Sequence, residues 1–152
     1  MTSTVCTDAG IVIKLVIQEA DSDLVHSLWH YWLQSDTKIV APGILPFEIT
    51  AVIRKLVYQG RISLTDGHAA LRKALAFAVT ISTPLGLHQA AWDLATRFNH
   101  PTAYDAHYLA LAEMLSCEFW TADRRLYNAV HTQLPWVKCL GDFQPPTERP
   151  MP

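Results

Sequence analysis

The sequence predicts a single α/β domain: a five-stranded parallel sheet with helices on both faces. Three observations lead there. Five short apolar runs, 4–7, 38–41, 78–81, 117–120 and 136–139, have the composition of buried strands. Segments of helical character separate each run from the next. Half of the 152 residues are hydrophobic and only 17% are charged, enough apolar material for one packed core.

Taken in order, Thr4–Thr7 is a strand ending at Asp8, and the apolar segment 9–16 follows as a helix. A second helix is expected over 21–34, where Leu24, Leu28, Tyr31 and Trp32 recur at helical spacing. Strand two, 38–41, is closed by Pro42-Gly43, a turn signal. Pro46 suits the first turn of a helix to about Gln59, with Leu45, Ile49, Val52, Ile53, Leu56 and Val57 as its buried stripe. Gly60 ends it. Ser63 or Thr65 opens a helix to about Phe77, and 78–81 is strand three. Pro84 starts a helix to about Phe98. After Asn99-His100-Pro101 comes the alanine- and leucine-rich helix 104–115, then strand four, a short helix 124–130 and strand five. No internal repeat appears. Residues 1–143 are read as one domain, and 144–152 as a proline-rich tail expected to be flexible.

Four acids, Asp8, Glu48, Asp105 and Asp123, stand where an apolar segment meets a helix start. Ligand sites of parallel α/β sheets lie beyond the carboxyl ends of the strands. Asp8, Glu48 and Asp123 follow strands one, two and four, so all three fall on that edge. Asp105 joins them only if the 99–103 connection returns the chain there. Each acid has a plainer role: Asp8 and Asp123 as N-caps, Glu48 as a dipole partner, Thr102-x-x-Asp105 as a capping box. Capping does not require convergence on one edge in apolar surroundings. Crowded, partly desolvated carboxylates raise one another's pKa unless a cation compensates them, so the set points to a metal site for phosphodiester cleavage.

The segments Val5-Cys6-Thr7-Asp8-Ala9, Pro46-x-Glu48, Tyr104-Asp105-Ala106-His107-Tyr108-Leu109-Ala110-Leu111-Ala112 and Thr121-Ala122-Asp123 resemble the PIN-domain family. Within it the chain is similar to the VapC-type toxin ribonucleases of bacterial toxin–antitoxin pairs, over about residues 4–140. The resemblance implies a three-layer α/β/α sandwich with strand order 3-2-1-4-5. It implies that Asp8, Glu48, Asp105 and Asp123 hold Mg²⁺ or Mn²⁺ and that Thr121 supports them. Gly10 departs from the pattern, since many members carry serine or threonine there. The implied partners are an RNA substrate, a second copy in a homodimer, and a small antitoxin protein that blocks the acidic groove. Asp8→Asn and Asp105→Asn are expected to abolish cleavage and leave the fold intact.

A negative pocket needs cations at its rim to hold RNA phosphates. Arg124 and Arg125 follow Asp123; Arg54, Lys55 and Arg61 lie on or just after the Glu48 helix; Lys14 is near the first acid. The formal net charge of −2 argues against a protein that coats nucleic acid. Cys6, Cys117 and Cys139 form no CxxC or Cys/His pattern and read as thiols of a reducing cytoplasm. No basic leader and no membrane-length apolar run appear. Two rivals are weaker. A phosphotransfer protein fits poorly, because Gly10 stands where a second Asp is needed and Ser82 where a receiver needs its acceptor. A binding-only PIN-like module has no need of all four acids.

Overall fold

A computed structural model describes residues 2–147. Five strands, β1 (Thr4–Thr7), β2 (Lys38–Ala41), β3 (Thr80–Ile81), β4 (Glu118–Thr121) and β5 (Val137–Cys139), form one sheet in the order β3-β2-β1-β4-β5. Every pairing is parallel. The expected fold class and strand order are both observed.

Consecutive strand residues point to opposite faces, yet Val5, Cys6 and Thr7 are all buried, as are Ile39, Val40 and Ala41. The central strands are therefore covered on both sides. The covering helices are α1 (Ala9–Val16), α2 (Ser22–Gln34), α3 (Leu45–Tyr58), α4 (Leu64–Leu75), α5 (Leu87–Arg97), α6 (Tyr104–Met114) and α7 (Arg124–Val130). The middle of α6 is apolar on successive faces, with Ala106 and Tyr108–Ala112 buried, as a helix packed against the sheet and other helices must be. α3 and α4 pack against each other closely at Gly67, where an added Cβ would stand 2.4 Å from a methyl of Val57.

Several boundaries move for identifiable reasons. α5 starts at Leu87 rather than Pro84, because Gly86 adopts a left-handed conformation (φ 86°) that no helix continues through. β3 is two residues long, since only Thr80 and Ile81 find partners on β2. β4 runs one residue further, to Thr121, and β5 begins at Val137. A short 3-10 turn, Leu140–Asp142, follows β5 and was not expected. Residues 144–147 have no regular structure and are exposed; the rest of the proline-rich tail, 148–152, lies outside the described residues.

The order places β1 at the centre, with β2 and β3 on one side and β4 and β5 on the other. The reversal of direction falls between β1 and β4, the crevice in which such sheets bind ligands. Asp8 follows β1 and Asp123 closely follows β4 at that point.

Candidate active site

Asp8 is held where β1 gives way to α1. Its backbone N–H continues the β1–β4 pairing by donating to the Trp120 carbonyl. Its side chain caps α1, with Oδ1 accepting from the Ile11 N–H at 2.9 Å. Oδ2 accepts from the Thr121 hydroxyl at 2.6 Å and the Ala122 N–H at 3.2 Å. Thr121, fully buried on β4, also accepts from the Asp123 N–H at 2.9 Å. One hydroxyl thus ties the first acid to the fourth across the sheet's switch point. Asp123 caps α7 through the Arg125 and Leu126 N–H groups. The capping role and the edge position coexist in these two acids.

Glu48 sits in the first turn of α3 and Asp105 in that of α6. α6 has no side-chain cap, so the capping-box reading of Thr102 and Asp105 does not hold. The connection after α5 does return the chain to this edge. Asn99 takes a left-handed turn (φ 53°), and the His100 N–H bonds the Ala95 carbonyl at 2.8 Å, closing α5 before α6 begins.

All four acids line one pocket of about 310 Å³, together with Ala9, Gly10, Tyr108, Ala122 and Leu126. Among the described residues no lysine or arginine lines it. Burial pushes the Asp8 carboxyl up to about 6 against its three hydrogen bonds, with the charge of Asp105 adding to the rise. Burial, then the charges of Asp105 and Asp8, push Glu48 up to about 7. Asp105 is raised by burial and by Asp123, and eased by nearby His100. The acids feel one another, as carboxylates sharing a site must.

The residues fit a hard divalent cation. Oε1 of Glu48 is buried without a hydrogen-bond partner, and the donor set is all oxygen. Among the described residues no group of three or more acidic, histidine or cysteine side chains stands close enough together to hold a metal ion as placed, so an ion here would keep waters among its ligands.

The predicted cations are scattered. Arg125 is exposed beside Asp123. Arg124 pairs with Asp142 at 3.3 Å and lies over the Tyr127 ring. Arg54 lines a different hollow, between α3 and α4. Lys14 is taken up by Glu19 and Asp21, the latter at 2.8 Å, and does not line the acid pocket. Gly10 leaves room for a side chain: a Cβ there would meet Ala122 and Asp8 Oδ1 at ordinary contact distance. In this chain the Asp8 bonds come from Ile11, Thr121 and Ala122 instead. Tyr108, part of the family-like segment but not among the expected site residues, lies three residues after Asp105 on the same face of α6 and lines the pocket.

The family model for the PIN domain matches residues 6–135. The chain belongs to the PIN-domain family. VapC ribonuclease Mb0985 of Mycobacterium bovis is 35% identical over 98 residues, covering 64% of this chain and 75% of that one. Among solved PIN-fold structures, PAE2754 from Pyrobaculum aerophilum superposes with a TM-score of 0.68 at 19% identity, covering 93% of both chains. VapC20 of Mycobacterium tuberculosis, described as a Sarcin-Ricin loop cleaving toxin, gives 0.60 at 16% identity, covering 83% of this PIN domain and 95% of that chain.

Thr121 offers a test of how this PIN domain builds its pocket. Thr121→Val keeps the shape but removes the bond to Asp8 and orphans the Asp123 N–H. Losing such supporting contacts costs about 10–100-fold in metal affinity. A Mn²⁺ titration of the variant is expected to show that drop with the fold retained.

Proposed function

We propose that this PIN domain is a divalent-metal-dependent endoribonuclease and the toxin of a toxin–antitoxin pair. The observation that carries the reading is the convergence of Asp8, Glu48, Asp105 and Asp123 on one pocket that, among the described residues, no cationic side chain lines. The ribonuclease relative supports the choice of reaction.

In this reading Asp8 and Asp105 would hold the ion directly, and Glu48 and Asp123 directly or through water. Mg²⁺ or Mn²⁺, when bound, supplies a Lewis acid that lowers the pKa of water and offsets charge gathering on the phosphate. Thr121 and the backbone N–H groups fix Asp8, so its oxygens need not reorganise during the reaction. Glu48 or Asp123 orients the attacking water. Arg125, at the rim beside Asp123, holds a neighbouring phosphate of a single-stranded or looped RNA; Arg124 can do so by exchanging its exposed pairing with Asp142, which is worth little in water.

Two surfaces fit the partners. Phe47 and Tyr104 are exposed and line one shallow hollow beside Glu48 and Asp105, and this apolar face suits pairing with a second copy. The apolar hollow of Ile53, Val57, Leu64 and Leu71 between α3 and α4, with the acid pocket, suits an antitoxin that offers an apolar segment and a cationic side chain.

Purified protein is expected to cut total cellular RNA at defined positions in Mg²⁺ or Mn²⁺ and to stop in EDTA. Equal cutting in EDTA would refute the metal-dependent reading.

A further inference from the structure

Two buried polar atoms in the described residues lack any hydrogen-bond partner: Oε1 of Glu48 and the hydroxyl of Tyr108. Both residues line the acid pocket. Their coincidence is informative, because a buried donor and a buried acceptor are each unfavourable alone and satisfy one another when joined.

Tyr108 is only 1% exposed and is fixed on all sides. Its ring packs against Phe119 with centroids 5.9 Å apart, and its carbonyl faces the Cys6 thiol. The ring cannot swing out to water. The hydroxyl hydrogen can still rotate, and Glu48 is the charged group that bears on it most, within reach of a side-chain bond from Tyr108 that works against the rise of the Glu48 carboxyl. A phenol is protonated at neutral pH, so the hydroxyl is available as a donor. A phenylalanine would fill the same volume without burying a hydroxyl. The oxygen is therefore unfavourable for packing and has a use only toward the pocket.

We propose that the Tyr108 hydroxyl is a positioning donor for Glu48: it binds Oε1 from within the core and turns the other carboxylate oxygen, Oε2, toward the ion. The pairing fixes one rotamer of a long side chain that no other hydrogen bond restrains in the described residues. Glu48 would otherwise have to be ordered by the ion itself, which weakens binding. Tyr108 touches neither ion nor substrate in this scheme and acts only through Glu48. The inference rests on the proposed metal site.

The test is a double-mutant cycle on Mn²⁺ affinity, read by calorimetry on wild type, Tyr108→Phe, Glu48→Gln and the double variant. Tyr108→Phe is expected to weaken Mn²⁺ about tenfold while the metal-free protein melts at the wild-type temperature or slightly above. In the Glu48→Gln background the same substitution is expected to change Mn²⁺ affinity less than twofold. A general packing defect would lower the melting temperature and weaken Mn²⁺ equally in both backgrounds, which overturns the proposal. Wild-type affinity in Tyr108→Phe also overturns it, and leaves the metal site standing. No Mn²⁺ binding by the wild type overturns both.

Discussion

Asp105→Asn is expected to reduce RNA cleavage about a thousandfold or more, with no loss of stability in the metal-free protein. The carboxamide keeps the shape of the side chain and removes its charge. An ion that stabilises the developing phosphate charge contributes several kcal/mol, and about 1.4 kcal/mol is a factor of ten in rate. No cap or tertiary hydrogen bond to its side chain depends on Asp105 in the described residues. Its raised pKa means that its charge opposes folding when no cation is present. The variant should therefore melt at the wild-type temperature or higher in EDTA. Asp8→Asn is the less clean experiment. Both Asp8 oxygens accept backbone N–H groups, from Ile11 and from Ala122, so an amide in either orientation sets one N–H against another. That mismatch costs about 1–3 kcal/mol, set against relief of a buried charge. Asp8→Asn is therefore expected to melt below Asp105→Asn in EDTA. Wild-type cleavage rates in Asp105→Asn would contradict the catalytic role.

Metal-free protein is expected to lose stability as pH rises from about 4 to 7, and divalent cations to restore it. The sign follows from the acids. Below pH 3.8 Asp8 is protonated folded and unfolded alike, and its burial costs no charge. Between 3.8 and about 6 the unfolded chain ionises first, so the folded state loses ground. Above about 6 the full loss is in place. A rise of about two pKa units corresponds to ~3 kcal/mol. Glu48 extends the loss to about pH 7. For a domain of this size the change is on the order of 5–10 °C in melting temperature. Mg²⁺ at millimolar concentration binds the ionised native site and should raise the melting point most at pH 7.5 and least at pH 4.5. Scanning calorimetry in EDTA and in Mg²⁺ at the two pH values measures both effects. Glu48→Gln should flatten the EDTA profile between pH 5 and 7.

Much of this arrangement was legible in the chain because its signals are local. The apolar runs, the Pro42-Gly43 turn and the helix starts are written in neighbouring residues, and parallel order puts Asp8 and Asp123 on one edge. Asp105 was not legible in that way. A helix and a further connection separate it from β3, and the left-handed turn at Asn99 that closes α5 before α6 begins carries no strong sequence signal. The extent of β3 was hidden because strand length is set by the partner: β2 offers pairing to Thr80 and Ile81 alone. Lys14 looked near the first acid along the chain, but Glu19 and Asp21 compete for it from the next turn. Tyr108 carried the opposite lesson. Its spacing from Asp105 was visible, but an unpaired hydroxyl is a property of packing, set by residues far apart in the chain.

Anomalous diffraction from crystals soaked in Mn²⁺ tests the central claim most directly. A strong peak within coordination distance of Asp8 and Asp105, with Glu48 and Asp123 bound directly or through water, is the predicted result. A peak elsewhere, or none in this pocket at saturating Mn²⁺, would contradict it.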